Sequence, residues 1–368
     1  MPQLPTHLAP ARATRRTLLF AALGASLIGV GLAACSDKNT PAPVPPPRTP
    51  GPLRIVATIP PVRGIIDPLL TAAGAKYQLH TLLPPGASEH GFEITPASME
   101  AIGNADLVVM IGLGMEPQVE KFLAQHTSAS RRVLTLSDGV MSAMVTPAAT
   151  HNDHANHDAT DHDHADADHD HDDHHHDHST DPHIWLDPVL VSSMVSECAS
   201  AFKPLAAIAS VDAAKLDEAQ RSTIKRIDQV HSDYQVALAH SPRRTIVVAH
   251  DAYGYLARRY NLQVIAITGL SAGEPQPMDV KKAAAAVMEN KLTTIFIEPQ
   301  LSPAAAMRLA TATGAKTAVL DPLGDGDWFV LMANNLTALK SALGSPTSPP
   351  ASASAATPQP APTTDSKH

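Results

Sequence analysis

The side chains in this chain best equipped for chemistry are histidines and carboxylates, and four of them stand at informative places. His90 lies in Leu83-Pro84-Pro85-Gly86-Ala87-Ser88-Glu89-His90-Gly91-Phe92-Glu93, directly after an expected strand. His183 sits in Asp181-Pro182-His183-Ile184-Trp185-Leu186-Asp187-Pro188, a short turn bracketed by prolines, with a tryptophan to pack behind it. His250 ends the β-branched run 245–249, and Asp321 follows the run 317–320. Open α/β sheets bind ligands beyond the carboxyl ends of their strands, so these four positions can converge on one cleft. Three neutral imidazoles and a carboxylate make a tetrahedral set suited to Zn²⁺, with nitrogen at about 2.0–2.1 Å and oxygen at about 2.0–2.2 Å. Mn²⁺ favours more oxygen donors.

Such convergence requires a particular scaffold. Segments 53–59, 79–83, 107–111 and 132–136 read as strands separated by helical patterns, and the alternation resumes at 245–249, 264–267, 294–297 and 317–320. Alternating βα units of this length argue for parallel sheets covered by helices. The spacing predicts an α/β protein of two (β/α)4-type lobes, one from 53–145 and 179–210, the other from 241–343. Segment 211–240 contains no glycine or proline and repeats Leu216, Ile224, Ile227, Tyr234 and Leu238 at helical spacing. It predicts a linking helix of about 45 Å, at 1.5 Å per residue, that joins the lobes rigidly.

Between His90 and His183 lies a segment of a different kind. Eleven histidines (His151, His154, His157, His162, His164, His169, His171, His174, His175, His176 and His178) alternate with ten aspartates and almost nothing apolar. A stretch of this composition has no core to form, so 146–178 is expected to be a solvated loop. Closely spaced imidazoles and carboxylates on such a loop can assemble transient metal sites, each weakened by the entropy of ordering. Composition favours a metal-collecting or metal-sensing role over an inert acidic solubilising one. His80, His126, His231, His240 and His368 have no convergent partner in the pattern and read as surface residues.

The ends of the chain place it in the cell. Arg12, Arg15 and Arg16 precede an apolar run from Leu18 to Ala34, which closes in Leu32-Ala33-Ala34-Cys35. That run falls short of the roughly 20 residues a membrane span needs and reads as a signal peptide with a lipoprotein cleavage box. Residues 1–35 are therefore expected to be a leader, Cys35 the lipidation site, and the mature chain anchored rather than membrane-spanning. The Arg15-Arg16 pair hints at twin-arginine export. Segments 36–52 and 344–368, rich in Pro, Ala, Ser and Thr, read as a flexible tether and a disordered tail. Cys198 is the one other cysteine, so no intramolecular disulfide is expected, and its apolar surroundings predict core packing. The formal charge of −9 becomes −12 without the three leader arginines, and ten of the acids lie in the histidine-rich segment. The folded body is thus nearly neutral, which gives no footing for nucleic acid.

The strings GASEHGFEITP, NADLVVMIGLGME, PHIWLDP, VVAHDAYGYLARRYNL and EPQLSPAA followed by DPLG run in that order from about Leu53 to Lys340. They resemble the zinc branch of the zinc- and manganese-binding solute-binding proteins of bacterial ABC importers. The resemblance implies that His90, His183 and His250 are metal ligands, with Asp321, Glu89 or water as the fourth and Asp321 slightly favoured. The manganese branch carries a glutamate where His250 stands, so the resemblance points to Zn²⁺ as the transported ligand. It also implies a periplasmic or extracytoplasmic monomer, an ABC permease in the inner membrane as partner, and a metal-collecting loop between the first two ligands. Several Gram-negative zinc relatives carry a disulfide in the second lobe, where this chain has no cysteine.

An enzyme is not expected. Three histidines with an open fourth position can activate water, but no HExxH helix or suitably spaced general base accompanies them. A manganese-binding homologue and a periplasmic zinc buffer or chaperone are the other readings this sequence allows.

Overall fold

The computed structural model describes residues 51–141 and 180–344. The expected leader with Cys35, nearly all of the tether, the segment bearing the eleven loop histidines and the tail after Gly344 lie outside them. In the first lobe, β1 (Leu53–Ala57) pairs with β2 (Tyr77–Thr81) on one side and β3 (Leu107–Met110) on the other, and β4 (Arg132–Thr135) pairs with β3. All four strands are parallel, in the order β2-β1-β3-β4. The inner strands β1 and β3 are nearly continuous apolar runs, as burial on both faces requires, while the edge strands are partly exposed.

The connecting helices α1 (Pro60–Ala72), α2 (Pro96–Asn104), α3 (Pro117–Gln125) and α4 (Pro188–Phe202) each open on proline. Proline suits this position because its missing N–H would have had no intrahelical partner. Thr95 and Asp187 cap α2 and α4 by accepting from Ser98 N and Val189 N, which satisfies amides that the helix itself leaves free.

The second lobe is built from two parallel pairs. β5 (Thr245–His250) pairs with β6 (Gln263–Thr268), β7 (Thr294–Ile297) pairs with β8 (Lys316–Val319), and β5 lies alongside β7. Around them pack α6 (Gly254–Arg259), α7 (Pro277–Glu289), α8 (Ala304–Thr313) and α9 (Trp328–Leu343). All eight expected strands form, with ends shifted by one or two residues.

The linking helix is α5 (Ala213–Leu238), which starts after the capping carboxylate of Asp212 and spans about 39 Å. Leu216, Ala219, Ile227, Tyr234 and Leu238 form its buried stripe, which packs on α1, α4 and α9. Tyr234 Oη donates to Met332 O at 2.8 Å. The helix is therefore a wall of the core as well as a connector. One apolar cluster runs from Leu53, Ile55 and Val109 through Trp185 and Tyr234 to Phe296, Leu320 and Trp328, with no break between lobes. Separating the lobes would expose that surface, at about 25 cal/mol per Å².

Directional contacts reinforce the junction. Trp185 Nε1 donates to Pro322 O at 2.6 Å, and Trp328 Nε1 donates to Trp185 O at 2.8 Å. Arg259 forks onto the Asp187 carboxylate through Nε and Nη2 at 2.8–2.9 Å. At Gly64 the backbone of α1 comes so close to α9 that an added Cβ would lie 2.5 Å from Trp328 N. Cys198 is fully buried and free, and burial pushes its thiol pKa up to about 12. No helix among the described residues is long and apolar enough to cross a membrane.

Candidate metal centre

Four side chains reach one point between the lobes, each delivered by a different local device. Glu89 and His90 ride on the loop after β2, between Gly86 and Gly91, whose φ angles of +79° and +81° lie in the left-handed region. Those glycines let the loop turn back over the cleft at little steric cost. His183 precedes a single 3₁₀ turn, Ile184–Leu186, whose three side chains are buried. His250 is the last residue of β5, at the point where the chain order passes from the β5–β6 pair to β7.

One ligand atom from each of Glu89, His90, His183 and His250 lies within 4.8 Å of all the others. Glu89 Oε1 stands 3.7 Å from His90 Nε2, 3.6 Å from His183 Nε2 and 3.7 Å from His250 Nε2, while the Nε2 atoms of His183 and His250 are 3.3 Å apart. Ligand atoms at about 2.0–2.1 Å from a tetrahedral Zn²⁺ stand about 3.3–3.4 Å apart, so these atoms need little adjustment to enclose an ion. Glu89 Oε1 and His90 Nε2 are buried without a hydrogen-bond partner among the described residues. Buried polar atoms seldom stay orphaned, and a cation at their centre would satisfy both.

The two deepest imidazoles are oriented from behind. Asp181 Oδ1 accepts from both the backbone N–H (2.9 Å) and Nδ1 (2.8 Å) of His183. Glu298 holds His250 in the same way, with Nδ1 to Oε2 at 2.6 Å and the backbone N to Oε1 at 3.2 Å. An ionised carboxylate only accepts, so each Nδ1 carries a proton and Nε2 faces the cleft.

Burial opposes charge on His183, but its hydrogen bond to Asp181 and the charges of Asp181 and Glu89 overcome it and raise the pKa to about 9. Burial would also raise the Glu89 pKa, yet His183, aided by the charges of His250 and His90, holds it at about 2. For His90, burial prevails over the Glu89 charge and lowers the pKa to about 4. The metal-free site is thus a carboxylate, a protonated His183 and a neutral His90, with the proton held where a cation would sit.

The cleft mouth, about 440 Å³, is lined by Glu89, His90, Leu113, Thr180, Leu270 and Ser271 among others. The strand-end loop carrying Leu113 is fixed from below by Glu116, whose carboxylate accepts from Thr58 Oγ1, Ile111 N and Gly112 N at 2.6–3.0 Å. Thr180, the first described residue after the histidine-rich segment, lies beside Glu89 and His90 in this lining.

His90, His183 and His250 thus come together as the sequence suggested, and Glu89 takes the fourth corner. Asp321 does not join them: it follows β8 as expected, but its Oδ1 accepts from Gln300 Nε2, Leu323 N and Gly324 N at 2.8–3.0 Å. The bonds from Leu323 and Gly324 close the loop before α9. Of the other histidines, His231 Nδ1 pairs with Tyr260 Oη at 3.0 Å, and His126 stacks on Phe122 with a 4.2 Å centroid separation. The sequence reading assigned no role to Asp181 and Glu298. The available signals were an aspartate two residues before His183 and a glutamate directly after β7, the strand that lies beside β5.

Comparison with known proteins identifies the family. The family model for zinc-uptake complex component A, periplasmic, matches residues 55–342. The chain is 27% identical over 327 residues to the zinc-binding lipoprotein AdcA of Streptococcus pneumoniae, covering 86% of this chain and 59% of the relative. It is 27% identical over 246 residues to the high-affinity zinc uptake system protein ZnuA of Yersinia pestis, covering 67% of this chain and 76% of that protein. A crystal structure of ZnuA superposes with a TM-score of 0.62 at 25% identity, covering 80% of this chain and all of the other. The family match takes in most of the chain and every residue of the cluster, so this protein belongs to the periplasmic zinc-uptake component A family.

Proposed function

We propose that this protein captures Zn²⁺ outside the cytoplasmic membrane and delivers it to an ABC-type importer, with Glu89, His90, His183 and His250 as the ligands. The observation that carries the reading is the Glu89 oxygen placed 3.6–3.7 Å from three Nε2 atoms. Three imidazoles favour zinc over manganese, which takes more oxygen ligands. Relatives named for zinc binding and zinc uptake support the same cargo.

Four protein ligands complete a tetrahedron and leave no position for an activated water, which argues for carriage of the ion rather than hydrolysis. Histidines 151–178 collect further Zn²⁺ and pass it to the cleft, a role supported by their composition and by Thr180 in the cleft lining. The chain works as a monomer, anchored through a lipid on Cys35, and docks on a membrane permease.

Calorimetric titration of metal-free protein with Zn²⁺ and with Mn²⁺ tests the reading. Tight zinc binding in one cleft site with weak manganese binding is expected, and the reverse order rejects zinc as cargo. A variant lacking residues 151–178 is expected to keep the cleft site but bind fewer ions and support less uptake at limiting zinc. An unchanged ion count and unchanged uptake would remove the collecting role.

A further inference from the structure

Resting on the reading above, the geometry points to Asp181, Glu298 and Gly254 as positioning residues that set zinc affinity from outside the ligand set. His183 and His250 are each gripped twice by a single carboxylate, once at the backbone N–H and once at Nδ1. A ring held at two points has little rotational freedom left to lose when an ion arrives. The proton fixed on Nδ1 leaves the Nε2 lone pair for the metal, and the neighbouring negative charge makes that lone pair a stronger donor.

Both carboxylates are themselves immobilised. Asp181 and Glu298 are 5% and 4% exposed. Tyr255 Oη donates to Asp181 O at 3.1 Å. Glu298 directly follows β7, which lies against β5.

Gly254 completes the device. It opens α6, and a Cβ placed there would lie 2.8 Å from Asp181 Oδ2. Its φ lies outside the left-handed region, so the backbone conformation does not call for glycine. The space taken by the Asp181 carboxylate does. His90 has no such carboxylate behind it: its backbone N–H donates to Ser88 Oγ at 3.2 Å, and its Nε2 has no partner among the described residues. The positioning device is confined to the two deep histidines.

The test measures Zn²⁺ affinity of the full chain by competition with a chelator strong enough to strip the histidine-rich segment. Glu298→Gln and Asp181→Asn keep the shape of each side chain and remove its charge. Each is expected to weaken cleft binding by about 10- to 100-fold. In the zinc-loaded variant, the Nδ1–H proton resonance of the corresponding histidine moves upfield and exchanges faster with water. That signature would not follow from a purely structural role. Affinity within threefold of the parent, or an unmoved Nδ1–H resonance, overturns the proposal.

If an amide variant does not fold, Gly254→Ala carries the test, because it keeps both carboxylates and displaces only Asp181. The same loss of affinity is expected, and parent-like binding overturns it. His250→Ala, measured in parallel, separates the two levels: cleft binding unaffected by that change refutes the zinc site itself rather than the positioning.

Discussion

His183 and His250 form one half of the cluster, and Glu89 with His90 forms the other; the two halves are built on different principles. The first pair is 0% and 1% exposed, and each ring is locked from behind by a buried carboxylate. It also stands on the junction held by Trp185, Trp328 and the Arg259–Asp187 fork. The second pair sits on a loop between two glycines, where Ser88 Oγ accepts from His90 N and donates to Glu89 Oε2. The His90 side chain is 18% exposed. One half is locked from behind by buried carboxylates, and the other rides on a glycine-bounded loop.

Breaking the preformed half has the largest expected effect. His250→Ala or His183→Ala removes a ligand and leaves a buried carboxylate without its ring, so zinc affinity falls by more than the ~100-fold that loss of an orienting partner brings. Equilibrium competition against a chelator measures it. Glu89→Gln comes next: it keeps the shape of the loop but removes the charge that faces three imidazoles, and it is expected to lower affinity less than loss of a histidine ring, because an amide oxygen still faces the ion. Asp321→Asn is the matched control for the fourth corner. It disturbs a loop that closes on its own acceptor and is expected to cost about 1–3 kcal/mol of stability while leaving zinc affinity near the parent value. If Asp321→Asn weakened zinc as much as Glu89→Gln does, the fourth corner would have to be reassigned.

The two halves also differ in how they meet protons. His183, with its pKa raised to about 9, is protonated in the metal-free protein at neutral pH, whereas His90, lowered to about 4, is already neutral. Zinc binding at pH 7 therefore displaces the proton held on His183, in the preformed half. Affinity is expected to rise with pH up to about 9, where His183 loses its proton unaided, and to fall more steeply below about 4, where His90 also takes one up. Calorimetry in buffers of different ionisation enthalpy reads the proton count, and release of none at pH 7 contradicts the assignment to His183.

The smallest effect is expected at the lobe junction, away from the ligands. Gly64→Ala forces a methyl to within 2.5 Å of Trp328 N and is expected to lower unfolding stability by about 1–3 kcal/mol. Denaturant unfolding checks this, and parent-like stability would show that the junction yields more easily than its packing suggests.

Much of this was legible in the sequence, for identifiable reasons. The inner strands announce themselves as apolar runs because both faces are covered. The linking helix is a glycine- and proline-free stretch with one buried stripe, trimmed at its start by the Asp212 cap. Histidines at strand ends are recognisable because the strands are. The fourth corner was harder, because Asp321 occupies a comparable strand-end position and sequence does not say which way a carboxylate turns. Aspartate in a turn competes for nearby backbone N–H groups, and here Leu323 and Gly324 win it. Asp181 and Glu298 were invisible for a related reason. Their role depends on the register that sets β7 beside β5 and on a turn two residues long, neither of which periodicity reports.

The most direct measurement is anomalous diffraction at the zinc edge from crystals of the zinc-loaded protein. A single strong peak in the cleft, about 2.0–2.2 Å from one Glu89 oxygen and from Nε2 of His90, His183 and His250, is the result expected. A peak bonded to Asp321 in place of Glu89, or no peak among the three histidines, would contradict it.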